Sequence, residues 1–102
     1  MANFALTLVH GQGWDDSLGI REQQEWKAHA AFMDDLVADG FILLGGPVGN
    51  SQQTLHVVEA RDENEVRRRL AEDPWARARL LEVSSIRPWA LWLDFRKDTP
   101  TS

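Results

Sequence analysis

The sequence predicts an α+β fold of order β-α-β-β-α-β, with both helices on one face of a four-stranded antiparallel sheet, the ferredoxin-like split arrangement. Three observations predict it. A strand-like alternation opens the chain at Phe4 to His10. A helical stretch then runs through one glycine straight into a short apolar run, Arg21 to Pro47. A third strand and a capped helix follow, with an Asp-Pro start set before a last apolar stretch.

In the first strand Phe4, Leu6, Leu8 and His10 alternate with Ala5, Thr7 and Val9, so both faces are apolar. Gly11-Gln12-Gly13 ends it, and Trp14 to Gly19 is a polar loop where Asp15, Asp16 or Ser17 can start a helix. Gly11-x-Gly13 lacks the third glycine and the following helix of a dinucleotide fingerprint. From Arg21 to Asp39 there is neither Pro nor Gly, and Trp26, Ala30, Met33 and Val37 form one helical stripe. His29 points toward that packed side, where a polar ring needs a partner. Gly40 stops the helix as a C′ glycine. Phe41-Ile42-Leu43-Leu44 is too short for a helix and reads as a buried strand, ended by a turn at Gly45-Gly46-Pro47.

Gly49-Asn50-Ser51 makes a tight connection to a third strand, Thr54 to Ala60, β-branched and apolar around His56. Asp62 caps the next helix with Glu65 at capping-box spacing, and Val66 and Leu70 face inward. Glu63–Arg67, Glu65–Arg69 and Arg68–Glu72 are one turn apart, which makes Arg67-Arg68-Arg69 a solvated face rather than a nucleic-acid patch. Asp73-Pro74 starts a short helix reaching about Arg79. Leu80 to Leu93 reads as one long or bent strand, at a sheet edge or bulged at Pro88. From Phe95 the chain is a polar, frayed tail.

Residues 1–102 are expected to form a single domain with its core at about 4–94. A net charge of −5 argues against a general nucleic-acid binder. No apolar run approaches the roughly 20 residues of a membrane span, and the N-terminus lacks the pattern of a signal peptide. With no cysteine there is neither a disulfide framework nor thiolate chemistry, and a cytoplasmic protein is expected. Five tryptophans beside four phenylalanines and no tyrosine suggest an aromatic-lined core, interface or pocket. Strands apolar on both sides need a cover on the face away from the helices. A second copy of the chain, related by a two-fold axis, is the expected one.

Two residues could carry chemistry. His29 is either a satisfied packing histidine or a general acid or base, since imidazole titrates near neutrality. Asp73 is a helix cap, and its second oxygen could also orient an imidazole N–H. Spacing alone does not place the two together. Of the other histidines, His10 ends a strand and can reach the same cleft, while His56 sits mid-strand as an ordinary packed or surface residue. No two histidines have the spacing of a known metal motif, so no metal is expected. Ser84-Ser85 lacks the glycines of a nucleophile elbow.

The His29 helix, the run from Asp39-Gly40 to Gly45-Gly46-Pro47, then Asp73-Pro74-Trp75 and Ile86-Arg87-Pro88-Trp89 together resemble the YCII-related family. The resemblance covers roughly Phe4 to Asp94. It implies a dimeric α+β barrel and an active site built from the helix histidine and the Asp-Pro aspartate, which fall on His29 and Asp73. A related enzyme removes chloride from a chlorinated hydroxyhydroquinone, and the wider barrel superfamily includes lactone isomerases and monooxygenases. The expected function is therefore proton transfer by His29, oriented by Asp73, on a small cyclic or aromatic oxygenated compound, with elimination or isomerisation and no organic cofactor. Gly45 and Gly46, with Pro47 beside them, would let backbone N–H groups approach a ligand oxygen. Trp14, Trp26 or Trp75 would line an apolar wall. A binding module without turnover, and a purely structural dimer, are the alternatives. The Gly11–Gly19 loop carrying Trp14 is longer than in the shortest members of that family.

Overall fold

The structure, a computed structural model, describes residues 1–96. The elements are β1 (Ala2–His10), a single 3₁₀ turn (Ile20–Glu22), α1 (Trp26–Ala38), β2 (Ile42–Val48), β3 (Gln53–Ala60), α2 (Glu63–Leu70), α3 (Pro74–Arg77) and β4 (Leu81–Pro88). The sheet order is β2-β3-β1-β4 with every neighbouring pair antiparallel, as the ferredoxin-like arrangement requires. The expectation of a frayed tail falls partly beyond residue 96, outside the described residues.

The core lies between the sheet and the helices. Phe4, Leu6 and Leu8 of β1 point the same way as Val58 and Ala60 of β3, Ile42 of β2 and Ile86 of β4, and they meet Leu36, Phe41, Val66 and Leu70. Each of these side chains larger than alanine contributes about 1.5–3 kcal/mol on leaving water.

Helix α1 differs from the sequence expectation at both ends of its stripe. It begins at Trp26, because Gln23 is extended and Glu25 is left-handed at φ 61°. Gln23 is buried and faces the preceding loop, where its Nε2 donates to the carbonyls of Asp15 (2.7 Å) and Leu18 (3.2 Å). Its Oε1 accepts from the Asp15 N–H at 3.1 Å. The needs of the loop override helix propensity here. The inward row is His29, Met33 and Leu36, of which Met33 is only partly buried, with Phe32 beside it, while Val37 is 54% exposed. Counting only apolar residues passes over His29 and so selects the adjacent row. The end of α1 is as expected. Gly40 takes φ 79°, its N–H donates to Val37 and that of Phe41 to Leu36, which is a Schellman ending.

Gly45-Gly46-Pro47 is strand, not turn. The three residues pair with His56, Leu55 and Thr54 of β3. A proline is tolerated because β2 is an edge strand, with no neighbour waiting for its missing N–H. The turn comes later, where Ser51 donates to Val48. Strand β4 is an edge strand as expected, but it stops at Pro88, where the start of β1 leaves little to pair with. Its irregularity is at Ser84, the extra residue between the pairs Thr7–Ser85 and Leu8–Val83, rather than at Pro88.

Asp62 caps α2 by accepting from the Glu65 N–H at 2.8 Å, and Glu65 reaches back to the Arg61 N–H. Of the expected charge pairs only Glu63–Arg67 forms. Arg69 instead pairs with Asp39, Glu65 with Arg61 and Arg68, and Glu72 with Arg77. These pairs sit largely in water and are worth about 0–1 kcal/mol each. The N–H groups of Gly11 and Gly13 are occupied by the carbonyls of Leu80 and Arg79, which ties the loop after β1 to the turn before β4.

Candidate active site

Helix α3 is only four residues long and starts at the Asp73-Pro74 pair read from the sequence. Asp73 Oδ1 accepts from the Trp75 N–H at 2.9 Å, as a cap does. The same carboxylate meets His29, 44 residues earlier, whose Nδ1 lies 2.9 Å from both oxygens. Both side chains are buried. An ionised carboxylate only accepts, so Nδ1 carries the proton and Nε2 is left with its lone pair. Nε2 has no hydrogen-bond partner among the described residues.

Aromatic rings hold this pair in place. Trp75 stacks on His29 with centroids 3.8 Å apart and planes within 5°, and its Nε1 donates to the Gln24 carbonyl at 2.7 Å. Trp14 meets Trp75 edge-on at 5.5 Å and stacks on His10 at 3.8 Å. Trp26 tilts against both His29 and Trp75 from behind.

Beside His29 lies a cavity of about 280 Å³, sized for a ring-sized ligand. His10, Trp14, Pro47 and Trp75 of the expected site line it with His29, and Leu8, Ile20, Met33 and Leu81 make its apolar walls. Asp73 stands behind His29 and does not line it. A more open hollow of about 360 Å³ between Arg67, Leu70, Arg79 and Val83 touches Asp73 but not His29.

Three expected ligand contacts are not brought to the cavity. Trp26 backs the histidine instead of facing the ligand space. Gly46 faces the outer side of the sheet, in register with Leu55. Gly45 lies under the His56 ring, where a Cβ would come within 1.9 Å of Nδ1, so its lack of a side chain makes room for a histidine. His56, expected to be an ordinary strand residue, lines the cavity. Its inward direction follows from the register Leu6–His56, which the sequence does not state. Burial pushes the His56 imidazole below the ordinary histidine value, and nearby His29 pushes it the same way. Burial also lowers His10, against a smaller upward pull from Asp16. Nδ1 of His10, Nδ1 of His56 and Oγ1 of Thr54 are buried without a partner. Among the described residues, no three metal-ligating side chains converge and no helix is long and apolar enough to cross a membrane.

A search of curated proteins finds no match. Among solved structures, the chain is similar to the 5-chloro-2-hydroxyhydroquinone dehydrochlorinase of Burkholderia phenoliruptrix in complex with 2,5-dihydroxybenzoquinone. The two share 23% identity with a TM-score of 0.57, over 86% of this chain and 92% of that one, a likeness of fold. The family model for the YCII-related domain matches residues 5–90, from within β1 to just past β4, and the chain belongs to that family.

Proposed function

We propose that this protein is an enzyme acting on a small oxygenated ring compound, with His29 as the proton-transferring group and Asp73 as the residue that orients it. The observation that carries the reading is the buried pair itself, with Nδ1 given to the carboxylate and Nε2 left free beside a ring-sized cavity. In the reaction, Nε2 takes a proton from a ring hydroxyl or from a carbon next to a carbonyl. The freed electron pair either expels a leaving group such as chloride or shifts within the ring, giving elimination or isomerisation. His29 then returns the proton to product or solvent. The Asp73 carboxylate stabilises the imidazolium formed on the way. Apolar walls and the Trp14–Trp75 pair suit a flat ring. The dehydrochlorination of a hydroxyhydroquinone by the similarly folded protein supports this substrate class.

The test is a turnover screen of chlorinated hydroquinones, phenols and lactones, followed by His29→Gln. Turnover that falls about 10²–10⁴-fold in the variant, with Kd changed far less, is the expected result. A variant retaining more than about half of the wild-type rate overturns the assignment of His29. Tight binding with no turnover on any compound would instead make this a binding module.

We also infer a homodimer formed through the outer face of the sheet. Leu44 is 66% exposed there, and Val48 and Trp89 are partly exposed beside Leu55 and Val57. An apolar face of this kind is the usual mark of association.

A further inference from the structure

His56 enters the cavity from the sheet and has no role in the proton transfer just described. The residue is 8% exposed, and its ring packs on the β2 backbone at Gly45, its register partner. A Cβ at that position would lie 1.9 Å from Nδ1 and 2.7 Å from Cγ, so glycine alone leaves room for the ring. Nδ1 is buried there without a hydrogen-bond partner. A buried N–H with no acceptor is costlier than an unused lone pair, and orphaned N–H groups are the rarer of the two in native proteins. The proton of the neutral ring therefore belongs on Nε2. That nitrogen has no partner among the described residues, and it is the ring's remaining polar atom on a residue that lines the cavity. A second proton would have to go on Nδ1, where nothing accepts it. The arrangement therefore favours His56 as a donor over His56 as a second base.

We propose that His56, seated on Gly45, donates a hydrogen bond from Nε2 to an oxygen of the bound ring compound, on a different edge of the ring from the group that His29 deprotonates. The inference rests on the reading of the cavity as a site for oxygenated rings. It adds a requirement to that reading for phenolic ligands, since a ring whose hydroxyl faces His29 must carry a second oxygen for His56. One ring nitrogen is a lone pair that takes a proton and the other is an N–H that only donates, so the cavity orients its ligand as well as holding it. A phenol with a single oxygen must leave one histidine unanswered, and it binds more weakly for that reason.

The experiment uses protein labelled with ¹⁵N-histidine, with long-range ¹H–¹⁵N spectra at neutral pH and hydroquinone as the probe, compared with phenol. His56→Phe assigns the His56 signals. The expected wild-type spectrum has His56 as the Nε2–H tautomer, and hydroquinone moves the side-chain nitrogens of both His29 and His56. His56→Phe should weaken hydroquinone binding about tenfold, the worth of one hydrogen bond. His56→Gln, which keeps an N–H near the Nε2 position, should stay within about threefold of wild type. An Nδ1–H tautomer or a charged ring at His56 overturns the proposal on the wild-type protein alone, whether or not the Phe variant folds. Hydroquinone that moves His29 but not His56, or binds the Phe variant as tightly as wild type, overturns the role of His56 and leaves the cavity reading standing. Hydroquinone that moves neither ring removes the cavity reading and this proposal with it.

Discussion

Asp73 uses one carboxylate for two purposes, and the consequences of replacing it separate them. Asp73→Ala removes the cap of α3 and leaves the buried Nδ1–H of His29 without an acceptor. The expected loss is about 2–4 kcal/mol, the sum of a lost cap and an unsatisfied buried donor, read from urea unfolding. Asp73→Asn can still cap, so it should fold with a smaller loss while turnover falls. Equal damage from Asn and Ala to stability would mean that the carboxylate's charge matters to the fold itself. The histidines set the pH response. His10 and His56 have lowered pKa values in the folded chain, so below the ordinary value of 6.5 the unfolded chain binds their protons more readily. Their contribution is complete above 6.5 and is lost as the pH falls toward their folded values. Unfolding free energy should therefore drop as the pH is lowered below about 6.5, and His56→Phe should flatten the drop; an unchanged slope would show that His56 titrates alike in both states. At this scale the sequence marks His29 by a polar ring on an apolar stripe and Asp73 by its proline. Their meeting lies in the packing of α1 on α3, which no spacing encodes. His56 escapes notice because its neighbour Gly45 is eleven positions away and becomes its partner only through strand register.

Elements with their own start and stop signals are legible. Asp62, Gly40 and Asp73-Pro74 mark helix ends by local chemistry, and the structure keeps all three. Elements ended by their neighbours are not. Gly-Gly-Pro resembles a turn but continues β2, because an edge strand needs no inner hydrogen bond from Pro47. The apolar run past Pro88 resembles strand, yet β1 offers it only the Asn3 carbonyl, which accepts from the Trp89 N–H, before β1 itself begins. The start of α1 is set by Gln23, whose three hydrogen bonds organise the loop carrying Trp14. Gln23→Ala should loosen that loop at a cost of about 1–3 kcal/mol. Hydrogen exchange should then quicken at Asp15 and Leu18 while the β1–β3 amides stay protected. Uniform loss of protection would mean that the loop is not a separate unit.

For the whole molecule, the element order and the two-sided apolar strands are visible in the sequence because each strand's alternation reports both of its faces. Which side the helices cover, and what remains on the other, needs the sheet order. Sedimentation equilibrium at micromolar concentration should give twice the 11.6 kDa chain mass. Leu44→Glu, at a position already largely in water, should shift the protein toward monomer without weakening the subunit much. A wild-type monomer at that concentration would remove the dimer.

The two rims of the sheet carry a safeguard. A bare edge strand invites another strand to add to it, and open-ended addition leads to fibres. Here β2 carries Pro47 and two adjacent glycines, and β4 ends in Pro88 with a kink at Ser84. Neither rim offers a long, regular ladder of donors and acceptors. Strand addition at either rim is thereby disfavoured, and the dimer proposed above, joined through the flat of the sheet, would close on itself rather than grow.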